Sequence, residues 1–544
     1  MKKYISMILC LFLLGTLPVL ANDMEVGSQL EQPIMNVDEN GNVTEYDPSD
    51  LEKELVEEPA LFTLLPEERK NIEVGVVNFR VKSSTGENTL YTVESTGASG
   101  YVNGYAASDA AFLGYASNGN VRFKMSGVIG QVKPSEVKVV EYEQAKSVSF
   151  YKAMNGNLYH FVTNDIYSTD YISTIRVGKN PSFLQEGIPY YSYDGHYFYT
   201  SYAVMISDYK NNVYSNSVNA NAPYYNYYQY LPHRSKTSFS AAQLDSLTAS
   251  KAQGKLNNLG SSFIQYQEEF GTNAALVYSV AVLESGWGTS YIAKQKNNLF
   301  GHGAVDSNPL YGANGYKTPA DSVYYHSKVF ISEGYCDPLD YGGRYYGSHL
   351  GNKESGINVK YASDPYWGEK VASIAWQLED TYHLGDDMAY TLAIKPAGTN
   401  LNIRKEISNS KILYRSGLCD AYPVLVLEKG DSWMRIQSDP TLTSDRSNIK
   451  QDDGRYNFDL DYGYIDSNQV YTIQEGTKPQ APSIMLGDVN LDGKITPSDY
   501  VKVKNHIMKK SELTGQSLQA ADMNQDGKIT PADYVKIKNT IMGK

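Results

Sequence analysis

The chain has 544 residues, a formal net charge of −13 and a pI near 5.2. That length exceeds one ordinary domain, and an acidic chain without a long Lys/Arg cluster is a poor nucleic-acid binder. Tyrosine is abundant, 47 Tyr against 15 Phe and 4 Trp; phenol rings stack on sugar C–H faces, although any single Tyr equally suits an edge of β-structure.

The first stretch, "MKKYISMILCLFLLGTLPVLAND", has Lys2 and Lys3, an apolar core, and small residues at Val19 and Ala21. It reads as a secretory signal, residues 1–21, cut after Ala21. Its apolar run is too short for a comfortable membrane span, so the mature chain is expected to be secreted, cell-wall associated and free of the membrane. Cys336 and Cys419 remain, in different expected domains, and indicate no disulfide framework. Residues 22–72 are acidic and contain Pro, which predicts a disordered or weakly helical leader. Short strands punctuated by Gly, Asn and Ser follow over 73–145 ("EVGVVNFRV", "VRFKMSGVIGQV"), and 146–235 continue as a small Tyr-rich β module ("YYSYDGHYFYTSY").

The pattern turns helical near Ser235. Ser240-x-x-Gln243 has capping-box spacing, and helices are predicted over Phe263–Phe270, Ala274–Leu283 and Glu369–Tyr382, with loops and a hairpin between the last two. In "SVAVLESGWGTS" the apolar run Val277–Leu283 delivers Glu284 to a turn beside Trp287. A carboxyl at a helix end among apolar neighbours disfavours its charged form and keeps its proton. Glycosidic bonds are cut by such an acid at the leaving oxygen, with a second group on the other side. A surface Glu at a fraying helix end fits the same pattern.

The stretches "ALVYSVAVLESGWGTSYIAKQKNNLFG" and "GNKESGINVKYASDPYWGEKVASIAW" resemble the family 73 glycoside hydrolases, with similarity over about 236–384. These are endo-β-N-acetylglucosaminidases that cleave peptidoglycan strands after GlcNAc. The resemblance implies an α-rich, lysozyme-like (α+β) catalytic domain with Glu284 as general acid. It places Asp306, in "GHGAVDSNP", as the partner acid; the substrate's 2-acetamido group is the next choice, then Glu333, with Asp321 also in range. Tyr361 matches a family tyrosine near the reacting sugar. Trp287, Tyr316, Tyr366 and Trp367 are candidates to line sugar subsites, with core packing as the alternative. Asp364, before Pro365, suits a turn or helix cap. His302, His326 and His349 form no HExxH or close pair in sequence, so no catalytic metal is assigned. Residues 74–232 fit the Src-homology-3-like and small aromatic β modules that precede the catalytic domain in cell-separation glucosaminidases. The rival readings are a muramidase or lytic transglycosylase on the same scaffold, and a non-catalytic wall-binding adaptor.

Strands return over 388–473 ("LNIRKE", "YPVLVLEKG", "SWMRIQS", "YGYIDSNQVY"), resembling a bacterial Src-homology-3-like wall-binding domain. A long insertion, "SDPTLTSDRSNIKQDDGRYNFDLD", departs from its compact form. A polar linker, 474–486, leads to 487–544, where "DVNLDGKITPSDYVKVKNHIM" and "DMNQDGKITPADYVKIKNTIM" repeat with a period of 34. Asp488, Asn490, Asp492, Lys494 (through its carbonyl) and Asp499 occupy ligand positions of a calcium loop, as do Asp522, Asn524, Asp526, Lys528 and Asp533. The repeat resembles a type I dockerin, which implies two structural Ca2+ ions and a cohesin-bearing surface protein as partner. Pro497–Ser498 and Pro531–Ala532 replace the hydroxyl pairs by which partner choice is usually read. The whole is expected to be multidomain: an α-rich catalytic domain flanked by small all-β barrel-like modules, with an all-α calcium-binding dockerin at the C-terminus.

Overall fold

Strand alternation in the first β region sets one buried face. In β4 (Thr89–Val93) and β8 (Val128–Val132) every second side chain is buried, as a sheet packed on one side requires. The computed structural model describes residues 34–46, 72–82, 87–303, 313–407, 411–417, 419–451, 453–477, 486–490, 494–513, 515–524 and 528–542. Together with β3 (Gly75–Asn78), β5 (Ser99–Val102), β6 (Asp109–Tyr115), β7 (Val121–Met125) and β9 (Lys138–Glu141), these strands form an antiparallel sheet in the order β5-β4-β8-β7-β6-β3-β9. Its core centres on Phe79, Tyr91 and Phe123, whose rings meet edge-on.

The acidic leader is not wholly irregular. β1 (Met35–Val37) and β2 (Val43–Glu45) pair as an antiparallel hairpin, closed by Asp38, whose Oδ1 accepts from the Asn40 and Asn42 N–H groups at 2.8 Å. Met35 and Val37 are buried in the core of the helical domain. This corrects the expectation of disorder for 34–46; the signal and most of the remaining leader lie outside the described residues.

The Tyr-rich module has a four-stranded sheet, β12-β11-β10-β13, built from β10 (Phe150–Met154), β11 (Asn157–Val162), β12 (Ser173–Lys179) and β13 (Pro189–Tyr190). It is not all-β. Two helices, α1 (Tyr202–Lys210) and α2 (Tyr227–Tyr230), are started by the side chains of Ser201 and Asn226, which accept backbone N–H bonds. Several of its tyrosines are core residues with satisfied hydroxyls. Tyr193 donates to Asp109 Oδ2 at 2.6 Å, and Tyr142 stacks on Tyr202 with centroids 4.2 Å apart.

The helical domain holds α3 (Ala241–Lys251), α4 (Gly260–Phe270), α5 (Ala274–Ser285), α6 (Tyr291–Lys296), α7 (Pro319–Tyr325), α8 (Asn358–Tyr361) and α9 (Trp367–Tyr382). Ser240 and Gln243 form the capping box that starts α3. Every residue of α5 is buried, as an all-round apolar helix must be, and it packs against α9. The segment expected as loops and a hairpin instead carries α7 and a π-helix, His326–Tyr335.

A second antiparallel sheet follows, in the order β16-β15-β19-β18-β17-β14-β20. Its strands are β14 (Thr391–Ile394), β15 (Asn402–Arg404), β16 (Ile412–Arg415), β17 (Pro423–Lys429), β18 (Trp433–Gln437), β19 (Tyr462–Asp466) and β20 (Tyr471–Gln474). The long insertion between β18 and β19 packs back onto the helical domain. Buried Arg234 donates to the Asp439 and Phe270 carbonyls, both at 2.6 Å, and its guanidinium lies 4.1 Å from the Tyr456 ring centroid. Cys336 and Cys419 are buried free thiols.

At the C-terminus α10 (Pro497–Ile507), α11 (Gly515–Ala521) and α12 (Pro531–Ile541) enclose a small core of Val489, Val503, Leu513, Ala521 and Ile537. Tyr500 and Tyr534, equivalent in the two repeats, stack with centroids 4.0 Å apart.

Candidate active site

Glu284 is the penultimate residue of α5, and the chain turns sharply after it. Gly286, Trp287 and Gly288 all have left-handed φ, +53°, +60° and +77°. The Ser285 hydroxyl accepts the Gly288 N–H at 2.8 Å and holds the turn. A Cβ on Gly288 would lie 2.4 Å from the Leu256 nitrogen, so glycine is needed there for space as well as for φ.

The carboxyl of Glu284 is buried, and its Oε1 accepts the indole N–H of Trp367 at 2.7 Å. Burial pushes its pKa from the ordinary 4.5 up to about 8; the Trp367 bond pulls the other way, and the negative charge of Asp364 adds to the rise. The C-terminal end of a helix also disfavours an anion. At neutral pH this carboxyl therefore carries a proton, as a general acid must.

Trp367 begins α9, and the Tyr361 ring lies against it, 4.5 Å between centroids. Tertiary packing thus gathers Glu284 with Trp367 and Tyr361, which lie 77 or more residues further along the chain (361 − 284). Asp364 is the turn residue expected, its Oδ1 accepting from Tyr366 N at 2.8 Å, and it is also an ion-pair partner. Lys370, fully buried, donates to Asp364 Oδ2 at 2.7 Å and to the Met35 carbonyl of the hairpin at 2.8 Å.

The other candidates are placed elsewhere. Trp287 is buried under the hairpin, its indole N–H donating to the Gly41 carbonyl at 3.3 Å. Tyr366 turns toward the Tyr-rich module and meets His160 edge-on at 4.6 Å. Tyr316, half-buried, pairs with His302 Nδ1 at 2.8 Å, and His302 Nε2 lies 3.0 Å from His326 Nδ1. Burial holds the His302 pKa down at about 3 and lowers that of His326 too, so this chain of side chains is uncharged at its imidazoles. Asp306 lies outside the described residues. Glu333 pairs with Lys328 at 2.8 Å, and Asp321 is engaged in the capping box of α7 with Thr318.

Lys370 and the hairpin were missed by sequence reasoning. For the hairpin there was a signal: Asn40-Gly41 between short β-prone runs is a strong turn cue. A buried lysine on an amphipathic helix has none.

In the C-terminal repeat, Asp499 and Asp533 are fully buried at the third positions of α10 and α12. Asp499 accepts from Asn490 N at 2.8 Å and Thr496 N at 2.8 Å; Asp533 accepts from Asn524 N at 3.0 Å and Thr530 N at 2.9 Å. Asp488, Asn490, Lys494, Asp522, Asn524 and Lys528 are described, whereas Asp492 and Asp526 lie outside the described residues. Carboxylate, amide and carbonyl oxygens at these spacings are the donor types that fit Ca2+, a hard cation.

This is a multi-module chain with a sheet-rich N-terminal region, a helical domain presenting a proton-bearing carboxyl, and a paired-loop C-terminal module. Residues 260–380 match the family described as mannosyl-glycoprotein endo-beta-N-acetylglucosaminidase, and residues 486–542 match the dockerin type I domain. The chain carries a glucosaminidase domain and a type I dockerin domain, a family known to bind calcium. Two curated relatives, both called putative endo-beta-N-acetylglucosaminidases of Streptococcus pneumoniae, are each 29% identical over 289 residues. The matched region is 50% of this chain and 38% and 36% of theirs, so the chain spans under two fifths of their length. Among solved structures, S. aureus Autolysin E is 26% identical over 29% of this chain and 73% of that one, with a TM-score of 0.24. The Major Bifunctional Autolysin is 26% identical over 32% and 76%, also at 0.24.

Proposed function

We propose that this chain is a secreted peptidoglycan hydrolase that cleaves the GlcNAc-β-1,4-MurNAc bond as an endo-β-N-acetylglucosaminidase. The observation that carries the reading is the buried carboxyl of Glu284, protonated at neutral pH, within a glucosaminidase domain. Its proton passes to the glycosidic oxygen as the C1–O bond breaks, and the Trp367 N–H stabilises the carboxylate left behind. Water then completes hydrolysis at C1, with Asp306 or the substrate's own acetamido group assisting on the opposite face. Tyr361 borders the acid through Trp367. The dockerin holds two Ca2+ ions through the two loops, and docks the enzyme to a cohesin-bearing surface protein. No step of the cleavage runs through calcium.

The test is mass spectrometry of borohydride-reduced fragments from purified peptidoglycan, with Glu284→Gln alongside. Reduced GlcNAc ends from the wild type, absent with the variant, are expected. Reduced MurNAc or anhydro-MurNAc ends would reassign the chain as a muramidase or transglycosylase, and no new ends as a wall-binding adaptor.

A further inference from the structure

The hairpin of β1 and β2 touches both sides of the Glu284–Trp367 bond. Among the described residues its strands pair only with each other, and a lone two-stranded hairpin is marginally stable in water. Its shape therefore depends on what it docks against. Met35 and Val37 enter the core of the helical domain, while Ile34 and Tyr46 join Tyr105 and Ala106 of the first β region. The Val37 N–H donates to the Ser173 hydroxyl at 3.3 Å, which ties the hairpin to the Tyr-rich module as well.

The polar grip of the helical domain is on hairpin carbonyls. On one side the Trp287 indole N–H donates to the Gly41 carbonyl at 3.3 Å, and Lys251, the last residue of α3, donates to that of Asn40 at 2.7 Å. Trp287 comes three residues after Glu284, and the hairpin lies on the turn between them. A Cβ on Gly286 would stand 3.8 Å from Met35 Cε and 3.9 Å from the Val43 carbonyl oxygen. On the other side Lys370, three residues after Trp367 on α9, donates to the Met35 carbonyl at 2.8 Å. Its second bond, to Asp364, anchors the turn from which α9 starts. The hairpin tip packs further along the same helix, where Gln377 leaves no room for a Cβ on Gly41.

One hairpin thus braces the turn behind the acid and the helix that carries its hydrogen-bond donor. Apolar packing of α5 on α9 is non-directional, whereas the 2.7 Å bond from Trp367 to Glu284 tolerates little sliding. The carbonyl contacts supply the missing direction. We infer that residues 34–46 are a positioning segment for the reaction: the Gly41 and Met35 carbonyls set the Glu284 carboxyl against the Trp367 N–H, and the hairpin serves turnover rather than glycan binding. The inference rests on the reading of Glu284 as the acid. A misplacement of about 1 Å costs up to about a hundredfold in rate.

The experiment uses the full chain with Met35→Ser and Val37→Ser, which remove the hairpin's apolar anchors, and a synthetic peptide of residues 34–46. Cleavage kinetics on peptidoglycan are read together with the NMR resonance of the Trp367 indole N–H, assigned through Trp367→Phe. The double variant is expected to lose kcat at least tenfold, with KM within about twofold and circular dichroism unchanged. Its Trp367 resonance shifts, and added peptide restores rate and resonance together in a saturable way. An unchanged kcat, a loss confined to KM, or a peptide that restores neither overturns the inference and leaves the hydrolase standing. Where the double variant fails to fold, Trp287→Phe keeps the ring and removes only the N–H to Gly41. A kcat and a Trp367 resonance both as in the wild type then overturn the inference. A wild type that cleaves nothing sinks the hydrolase reading, and the resonance alone then decides: a shift in the variant upholds the positioning of Trp367 by the hairpin, and an unmoved line overturns it.

Discussion

Replacing Glu284 by Gln should abolish cleavage and at the same time stabilise the helical domain, by an amount that grows with pH. The carboxyl is raised from 4.5 to about 8 in the folded chain, so between those values the folded state holds a proton that the unfolded state has released. Stability therefore falls as pH rises from about 4.5, and the loss levels off above about 8. At about 1.4 kcal/mol per tenfold, the cost reaches about 3 kcal/mol at pH 7 and about 5 kcal/mol above pH 8. The amide of the Glu284→Gln variant never ionises and is free of this cost, while its oxygen can still accept the Trp367 N–H. For a domain of this size about 3 kcal/mol corresponds to a gain of roughly 6–12 °C in Tm. Scanning calorimetry of both proteins from pH 4.5 to 8.5 reads the difference directly. The two should nearly coincide at pH 4.5 and diverge steadily above it; a gap independent of pH would refute the account of Glu284 as a desolvated acid. The same proton makes cleavage by the wild type decline as pH rises through about 8.

Lys370→Met leaves the Asp364 carboxylate buried without its cation and frees the Met35 carbonyl. A cost of about 3–5 kcal/mol is expected, measured by urea unfolding, with faster proteolysis of residues 34–46. Arg234→Ala removes donors to carbonyls of both the helical domain and the β18–β19 insertion. It should cost about 3 kcal/mol or more and split one thermal transition into two in calorimetry. Chelation of calcium should unfold 486–542, seen as lost helical circular dichroism, while the initial rate of peptidoglycan cleavage stays within about twofold; loss of cleavage would contradict the separation of the two modules.

Local signals carried far into this protein. The Ser240/Gln243 capping box, the buried character of α5 and the doubled loops before α10 and α12 are each set by a few neighbouring residues. Periodicity and side-chain reach act over one or two turns, so such features can be read without knowing the fold. Even the placement of Glu284 at a turn followed from "LESGWG", where two glycines meet left-handed backbone.

What surrounds Glu284 was decided only by the tertiary structure. A carboxyl's pKa depends on its burial and on the groups that face it; Trp367 from α9, which opposes the rise, and Asp364, which adds to it, are both distant in sequence. Tyr366 and Trp367 are adjacent aromatics with the same local credentials, yet one faces His160 and the other the acid. Trp287 sits next to the acid in sequence and is roofed by a hairpin from the acidic leader. Charge and composition predicted a disordered leader, but within 34–46 two apolar residues, Met35 and Val37, found a core to enter. Sequence thus nominated the residues that could carry the chemistry; long-range packing determined which of them lose their water, and with it their protonation and reach.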